Sequence, residues 1–276
     1  MKRLIFVAFF LIFCCVKTDV VTPPKIPELN LVLLDSLRLT NPVSGLGLDT
    51  DGGVLLIEIS GAKIIKLSTN LIKLDSIVLP QRLFYPKGIR ADEFFIYIYT
   101  ENSFYRFDRQ KKTLKQIYSG IKSKGMIVIN TNEVYLSDPQ NNRIIMVDAT
   151  GNVKDFIKQP EKLEPADLVY DAKNGTIWLI NNRSQAIEGY NRIGNLKASI
   201  AVFNLNFQNI ALAKDNSLFL IGKNGSTIWR IDKKGQFRLY QATKDISFVA
   251  TDLLLGNDRI YILDYQNRIL SFPIPQ

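Results

Sequence analysis

The sequence predicts an all-β chain folded as a six-bladed β-propeller of four-stranded antiparallel blades, closed by an N-terminal strand that completes the last blade. Three observations predict it. A pattern of alternating apolar residues recurs six times at a period near forty residues. The composition is that of β-strands. A surplus strand at the start of the repeats matches a missing one at their end.

The pattern has two columns. The first reads Val54 to Glu58, Phe95 to Tyr99, Val134 to Asp138, Ile177 to Asn181, Leu218 to Gly222 and Ile260 to Asp264. Its last positions step by 41, 39, 43, 41 and 42 residues. The second column is an apolar residue, two others and another apolar residue: Ile64 and Leu67, Phe104 and Phe107, Ile144 and Val147, Ile187 and Tyr190, Ile228 and Ile231, Ile269 and Phe272. Turn formers follow it at Ser68, Asp108, Asp148, Asn191 and Asp232, and others precede the first column, as in Asp51-Gly52-Gly53. Four short strands in about forty residues is the period of a propeller blade. Parallel solenoids repeat faster, and a sandwich would not keep six units in step.

The sixth unit stops before its fourth strand, with only Pro273-Ile274-Pro275-Gln276 after Phe272. Residues 30–40 are surplus ahead of the first unit, with Leu31, Leu33, Leu37 and Leu39 on one face. Pairing this segment with Arg268 to Phe272 closes the ring and covers an open strand edge. Both the core and the strands have material enough: the 276 residues are 46% hydrophobic and include 11 Tyr and 16 Phe.

Residues 1–15 read as an export signal. Met1-Lys2-Arg3 is a positive start, and the apolar run from Leu4 to Phe13 is too short to span a bilayer. The run ends in Cys14-Cys15, which resembles a bacterial lipobox, with Cys15 the lipidated residue. Two outcomes stay open, a lipid anchor and a cleaved soluble form. Residues 16–29, with Pro23, Pro24 and Pro27, read as an extended tether. The expected location is outside the cytoplasm: periplasmic, anchored at the outer membrane, or extracellular. The propeller then occupies 30–276.

Absences restrict the chemistry. The chain has no histidine, so imidazole bases and ligands are excluded. Its two cysteines lie in the leader, so the folded part has no disulfide and no thiol nucleophile. A protein-bound metal would need oxygen ligands, which favours calcium or magnesium. The formal charge of +9 is dispersed over turns and includes Lys2 and Arg3 of the leader. It reads as a solvated surface, not a nucleic-acid footprint, and the expected protein is a monomer touching the membrane only through an anchor.

The third unit, Asp138-Pro139-Gln140-Asn141-Asn142-Arg143-Ile144 and on to Asp148 and Gly151, resembles the NHL repeat, in which an Asp precedes Asn-x-Arg-Ile and a strand ends in Asp before a Gly turn. Asp264-Tyr265-Gln266-Asn267-Arg268-Ile269 is similar and one residue shorter. Tyr85-Pro86-Lys87-Gly88-Ile89 resembles the family's blade opening. The other blades keep the hydrophobic frame without the Asp and Arg. The resemblance implies the propeller fold. It does not choose among interaction modules, RNA binders, lyases and exported proteins of unassigned role.

A ligand of such a ring belongs where the innermost strands begin, near Ser44-Gly45, Lys87-Gly88, Lys124-Gly125, Ala166-Asp167, Gln208-Asn209 and Thr251-Asp252. Candidate binding residues are Lys87, Lys124, Arg143, Asp167, Arg183, Asp252 and Tyr265. The expected role is a non-enzymatic scaffold of the cell envelope presenting one loop-rich face to a protein or glycan, with no cofactor. The alternative is a calcium-assisted hydrolase or lactonase, for which Glu58, Asp138, Asp167, Asp252 and Asp264 are the candidate oxygen ligands, as in related six-bladed hydrolases. The structural use of Asp138 and Asp264 is to hold Arg143 and Arg268. Trp178 and Trp229 read as blade packing.

Overall fold

The computed structural model describes residues 28–275 apart from 160, 203–205, 223 and 243–245. The leader, with Cys14 and Cys15, and the tether up to residue 27 lie outside the described residues. The rest is a ring of six antiparallel four-stranded sheets, one of which carries a fifth strand.

Each blade runs outward from the central channel. The innermost strands are Val43–Leu48, Pro86–Ala91, Met126–Asn130, Pro165–Asp171, Phe207–Leu212 and Ala250–Leu255. The second strands are Val54–Glu58, Phe95–Thr100, Glu133–Asp138, Thr176–Asn181, Leu218–Gly222 and Arg259–Asp264. A second strand is flanked by sheet neighbours and covered by adjacent blades on both faces, so it reads as an apolar run; all of Val54–Glu58 is buried. Outer strands meet water, and five of the six residues of Lys73–Val78 are exposed.

The core is six clusters, one between each pair of neighbouring blades. All twelve residues of the second sequence column are buried. Their recurrence at every third position puts one on each face of a strand, so each blade faces both neighbours. Burying such a side chain is worth roughly 1.5–3 kcal/mol.

Closure follows the sequence expectation with one correction. Residues 30–40 are not one strand. Asp35–Arg38 pairs antiparallel with Arg268–Pro273, with Leu37 opposite Ile269, and supplies the fourth strand of blade six. Glu28–Leu31 instead runs parallel to Phe237–Ala242 and adds a fifth strand to blade five. The break between them lets the chain cross from one blade to the next: Leu31 is buried in the cluster between blades five and six, while Leu37 and Leu39 pack on the cluster between six and one. Asp35 forms an ion pair with Arg259, the first residue of the sixth second strand. The crossing itself is residues 32–34, and Asp35 opens the strand that follows it.

Five innermost strands carry a bulge at their first residues, between Val43 and Gly45, Pro86 and Gly88, Pro165 and Leu168, Phe207 and Asn209, and Ala250 and Asp252. In blade three Ser137 Oγ accepts the amides of Lys124 and Gly125 at 3.1 and 2.8 Å in the same place. A bulge turns the extra side chain out of the ladder. Here it turns one residue per blade toward the channel mouth. Among the described residues no helix is long and apolar enough to cross a membrane.

Candidate functional site

The bulged positions build a cavity. Ser44, Lys87, Lys124, Ala166, Gln208 and Thr251, one from each blade, line a space of ≈ 730 Å³ at the channel mouth. Glu164, Asn182, Asn206, Asn209, Tyr99 and Asp252 complete most of the wall. The volume is that of a small-ligand site.

One residue deeper, the ring reads Gly45, Gly88, Gly125, Asp167, Asn209 and Asp252. Its two halves differ. On the glycine side, a Cβ on Gly88 would lie 2.3 Å from the Tyr99 ring, and a Cβ on Gly125 would lie 2.3 Å from Asp167 Oδ1. Tyr99 fills the space that the missing side chain leaves, and its hydroxyl donates to the Lys124 carbonyl at 3.0 Å. On the polar side, the carboxylates lace neighbouring blades together. Asp167 accepts the Ile210 amide of blade five at 3.1 Å and its own neighbour's amide, Leu168, at 2.9 Å. Asp252 accepts the Leu46 amide of blade one at 2.7 Å, the Leu253 amide at 2.8 Å and Asn209 Nδ2 at 3.1 Å.

Burial pushes the Asp167 carboxyl up to about 7, against the Arg90 guanidinium and the Ile210 amide, with the Asp252 charge adding to the rise. Burial also raises Asp252, again opposed by Arg90 and by the Leu46 amide. Tyr99 is held far above the ordinary phenol range by burial and by these two carboxylates. Arg90 donates through Nη1 to the carbonyls of Leu46 and Ile89, both at 2.8 Å, which fixes the one cation acting on both acids.

Of the candidate binding residues, the cavity collects Lys87, Lys124 and Asp252, with Asp167 just beneath. Arg143 is spent within blade three, donating to Asp138 and Asp155 at 2.9 Å each. Arg183 is exposed on the hairpin loop of blade four, and Tyr265 stands 82% exposed on that of blade six, both outside the cavity wall. The five carboxylates considered for calcium are spread around the ring. Glu58 accepts from Asn41 and Ser60 at 3.0 Å each, Asp138 from Arg143 and Asn141, and Asp264 from Arg268. Among the described residues no three His, Cys, Asp or Glu side chains come together to hold a metal.

Sequence reasoning passed over Tyr99 and Arg90. It aligned Tyr99 with Glu58 and Asp138 at the polar end of the second strand. Pairing puts Thr100 there, opposite Pro86 as Glu58 is opposite Val43, and Tyr99 opposite Gly88. The register error of one residue assigns a strand residue to the wrong face. The signal was present: the Gly of Lys87-Gly88 faces a large ring one strand away.

No family model matches the chain, and no curated protein matches it in sequence. Solved structures do match in shape. Virginiamycin B lyase from Staphylococcus aureus aligns at a TM-score of 0.63 with 17% identity, over 88% of this chain and 88% of that one. The calcium-binding protein regucalcin from Agrobacterium tumefaciens aligns at 0.64 with 12% identity, over 90% and 95%. YCF48 bound to D1 peptide aligns at 0.62 with 13% identity, over 91% and 100%. What these share with the chain is the fold: it is a β-propeller. Its particular form is six blades latched by its own N-terminal strand.

Proposed function

We propose that the chain is an exported, NHL-like binding scaffold of the bacterial cell envelope, which holds a protein or glycan partner on its channel-mouth face and catalyses no reaction. One observation carries the reading: the cavity is polar and ready to bind, but its hydroxyls and the two ring carboxylates are already engaged. Its four hydroxyls donate to backbone carbonyls, Ser44 to Ile57 at 3.5 Å, Tyr99 to Lys124 at 3.0 Å, Ser123 to Gly125 at 2.8 Å and Thr251 to Leu263 at 3.1 Å. None meets a base, as an activated nucleophile must. Asp167 and Asp252 are occupied by backbone amides that join blades. The neighbours support the same view. A form of the Staphylococcus aureus lyase described as catalytically inactive has a histidine replaced by alanine, and this chain has no histidine. Another neighbour is seen with a peptide bound. The NHL likeness is supported by the two clasps Asp138–Arg143 and Asp264–Arg268, which hold the same loop in blades three and six.

The test places a photo-crosslinking amino acid at Tyr265 or at Lys87 of the full chain in envelope membranes. A discrete adduct to a protein or glycan at both sites, but not at Leu74 on the outer strand of blade one, is the expected result. Calcium-dependent turnover of lactones or esters by the purified chain would overturn the reading.

A further inference from the structure

The channel mouth is divided electrically. Lys87 and Lys124 stand on adjacent blades, two and three, and among the described residues neither has an ion-pair partner. Across the same ≈ 730 Å³ cavity stand Glu164 at the start of blade four and Asp252 on blade six. Asp252 is already engaged by the Leu46 and Leu253 amides and by Asn209, so Glu164, which among the described residues has no ion-pair partner, is the acid left opposite the two lysines. The wall between them is built of carboxamides, chiefly Asn182, Gln208 and Asn209, which both donate and accept.

A ligand that suits this wall carries an anion at one end, a cation at the other and amide groups between. Sugars are a poorer fit, because stacking needs an exposed ring face. Tyr99 is 7% exposed, with its ring against the Gly88 backbone. Trp178 packs on Gly189, and Trp229 meets Phe207 edge-on. The volume exceeds a single amino acid and accommodates a few peptide units.

We propose that the mouth binds a short peptide with free termini, its carboxylate against Lys87 and Lys124 and its ammonium against Glu164. This rests on the reading of the channel-mouth face as a binding face and names what the cavity itself holds. Charge-assisted hydrogen bonds at both ends supply the affinity.

The test offers the purified full chain three pools of tetrapeptides of mixed sequence: unblocked, N-acetylated and C-amidated. Retained peptides are read by mass spectrometry, and the tightest is titrated by calorimetry. Unblocked peptides are expected to be retained, and capping either end should weaken binding by about tenfold or more. The double variant K87A/K124A should weaken the free-carboxylate peptide and leave the amidated one unchanged. The variant E164Q should weaken the free-amine peptide and leave the acetylated one unchanged. The capping comparison on the unaltered chain stands alone if E164Q does not fold. Retention of no unblocked tetrapeptide, equal binding of capped and uncapped forms, or equal losses for both in the lysine variant would each overturn the proposal. A chain that still forms its envelope adduct at Tyr265 but fails these tests loses only the peptide assignment.

Discussion

Asp167 is 4% exposed and has its carboxyl raised to about 7 by burial. The unfolded chain ionises this group near 3.8, so between about 4 and 7 the folded state holds a proton that the unfolded state has released. Its contribution to stability is fully present below the unfolded value and is lost as pH rises through the folded one. Each pH unit in that window is worth up to about 1.4 kcal/mol. The variant D167N has no such titration. Its melting temperature relative to the unaltered chain should therefore move in the variant's favour from pH 4 to pH 7, whatever the offset between them. A difference flat across that window would show that Asp167 is ionised throughout. Gly88 gives a second test at this scale. In G88A a methyl would meet the Tyr99 ring at 2.3 Å. Overpacking of this kind costs about 1–3 kcal/mol, or about 2–4 °C of melting temperature per kcal/mol in a chain of this size. Adding Y99A should recover part of the loss, because the second change removes the atoms that clash. Residues of this sort were half legible. Lys87, Lys124, Asp167 and Asp252 were found because they begin strands in a repeating frame. Tyr99 was not, because a strand's two faces differ by one residue and blade two is offset by one from its neighbours.

At the scale of elements, the latch is the feature on which stability most depends. A truncation beginning at Val43 removes Leu31 from the cluster between blades five and six, and Leu37 and Leu39 from the next. It also removes the Asp35 partner of Arg259 and uncovers the edge of Arg268–Pro273. Leu31 alone accounts for roughly 1.5–3 kcal/mol, its side chain being buried. Several kcal/mol is a large share of a typical stability of about 5–15 kcal/mol. The truncated chain should melt far lower and self-associate through the open edge, as read by calorimetry and light scattering. An unchanged melting temperature and a clean monomer would refute the latch. The missing fourth strand and its replacement were legible as arithmetic, since six units shared one gap and one surplus. The division of the surplus into two strands was not. Residues 30–40 carry apolar side chains on both sides of the break, and only the distance between two blade edges separates one strand from two.

Over the whole molecule, the lipid anchor proposed at Cys15 gives a direct test. If Cys15 carries a lipid, palmitate label should enter the unaltered chain and be lost from C15S. Label persisting in a variant without Cys14 and Cys15 would remove the anchor and leave a released form. The ring itself was legible because twelve apolar positions repeat in step. The cavity's charge division was not, because it depends on which blades the lysines and carboxylates occupy around a circle. The latch has a consequence for how each molecule is made. Asn267 Nδ2 donates to the Leu39 carbonyl across 228 residues of chain, beside the strand that receives Asp35–Arg38. Synthesis begins at the N-terminus, so Asp35–Arg38 waits, unseated, for the last strand of the ring. Any product of an interrupted message that ends before residue 268 has nowhere to dock Asp35–Arg38, and blade six stays without its outer strands. Ring closure thus doubles as a length check on the chain, since the first and last strands of blade six must both be present for it to form.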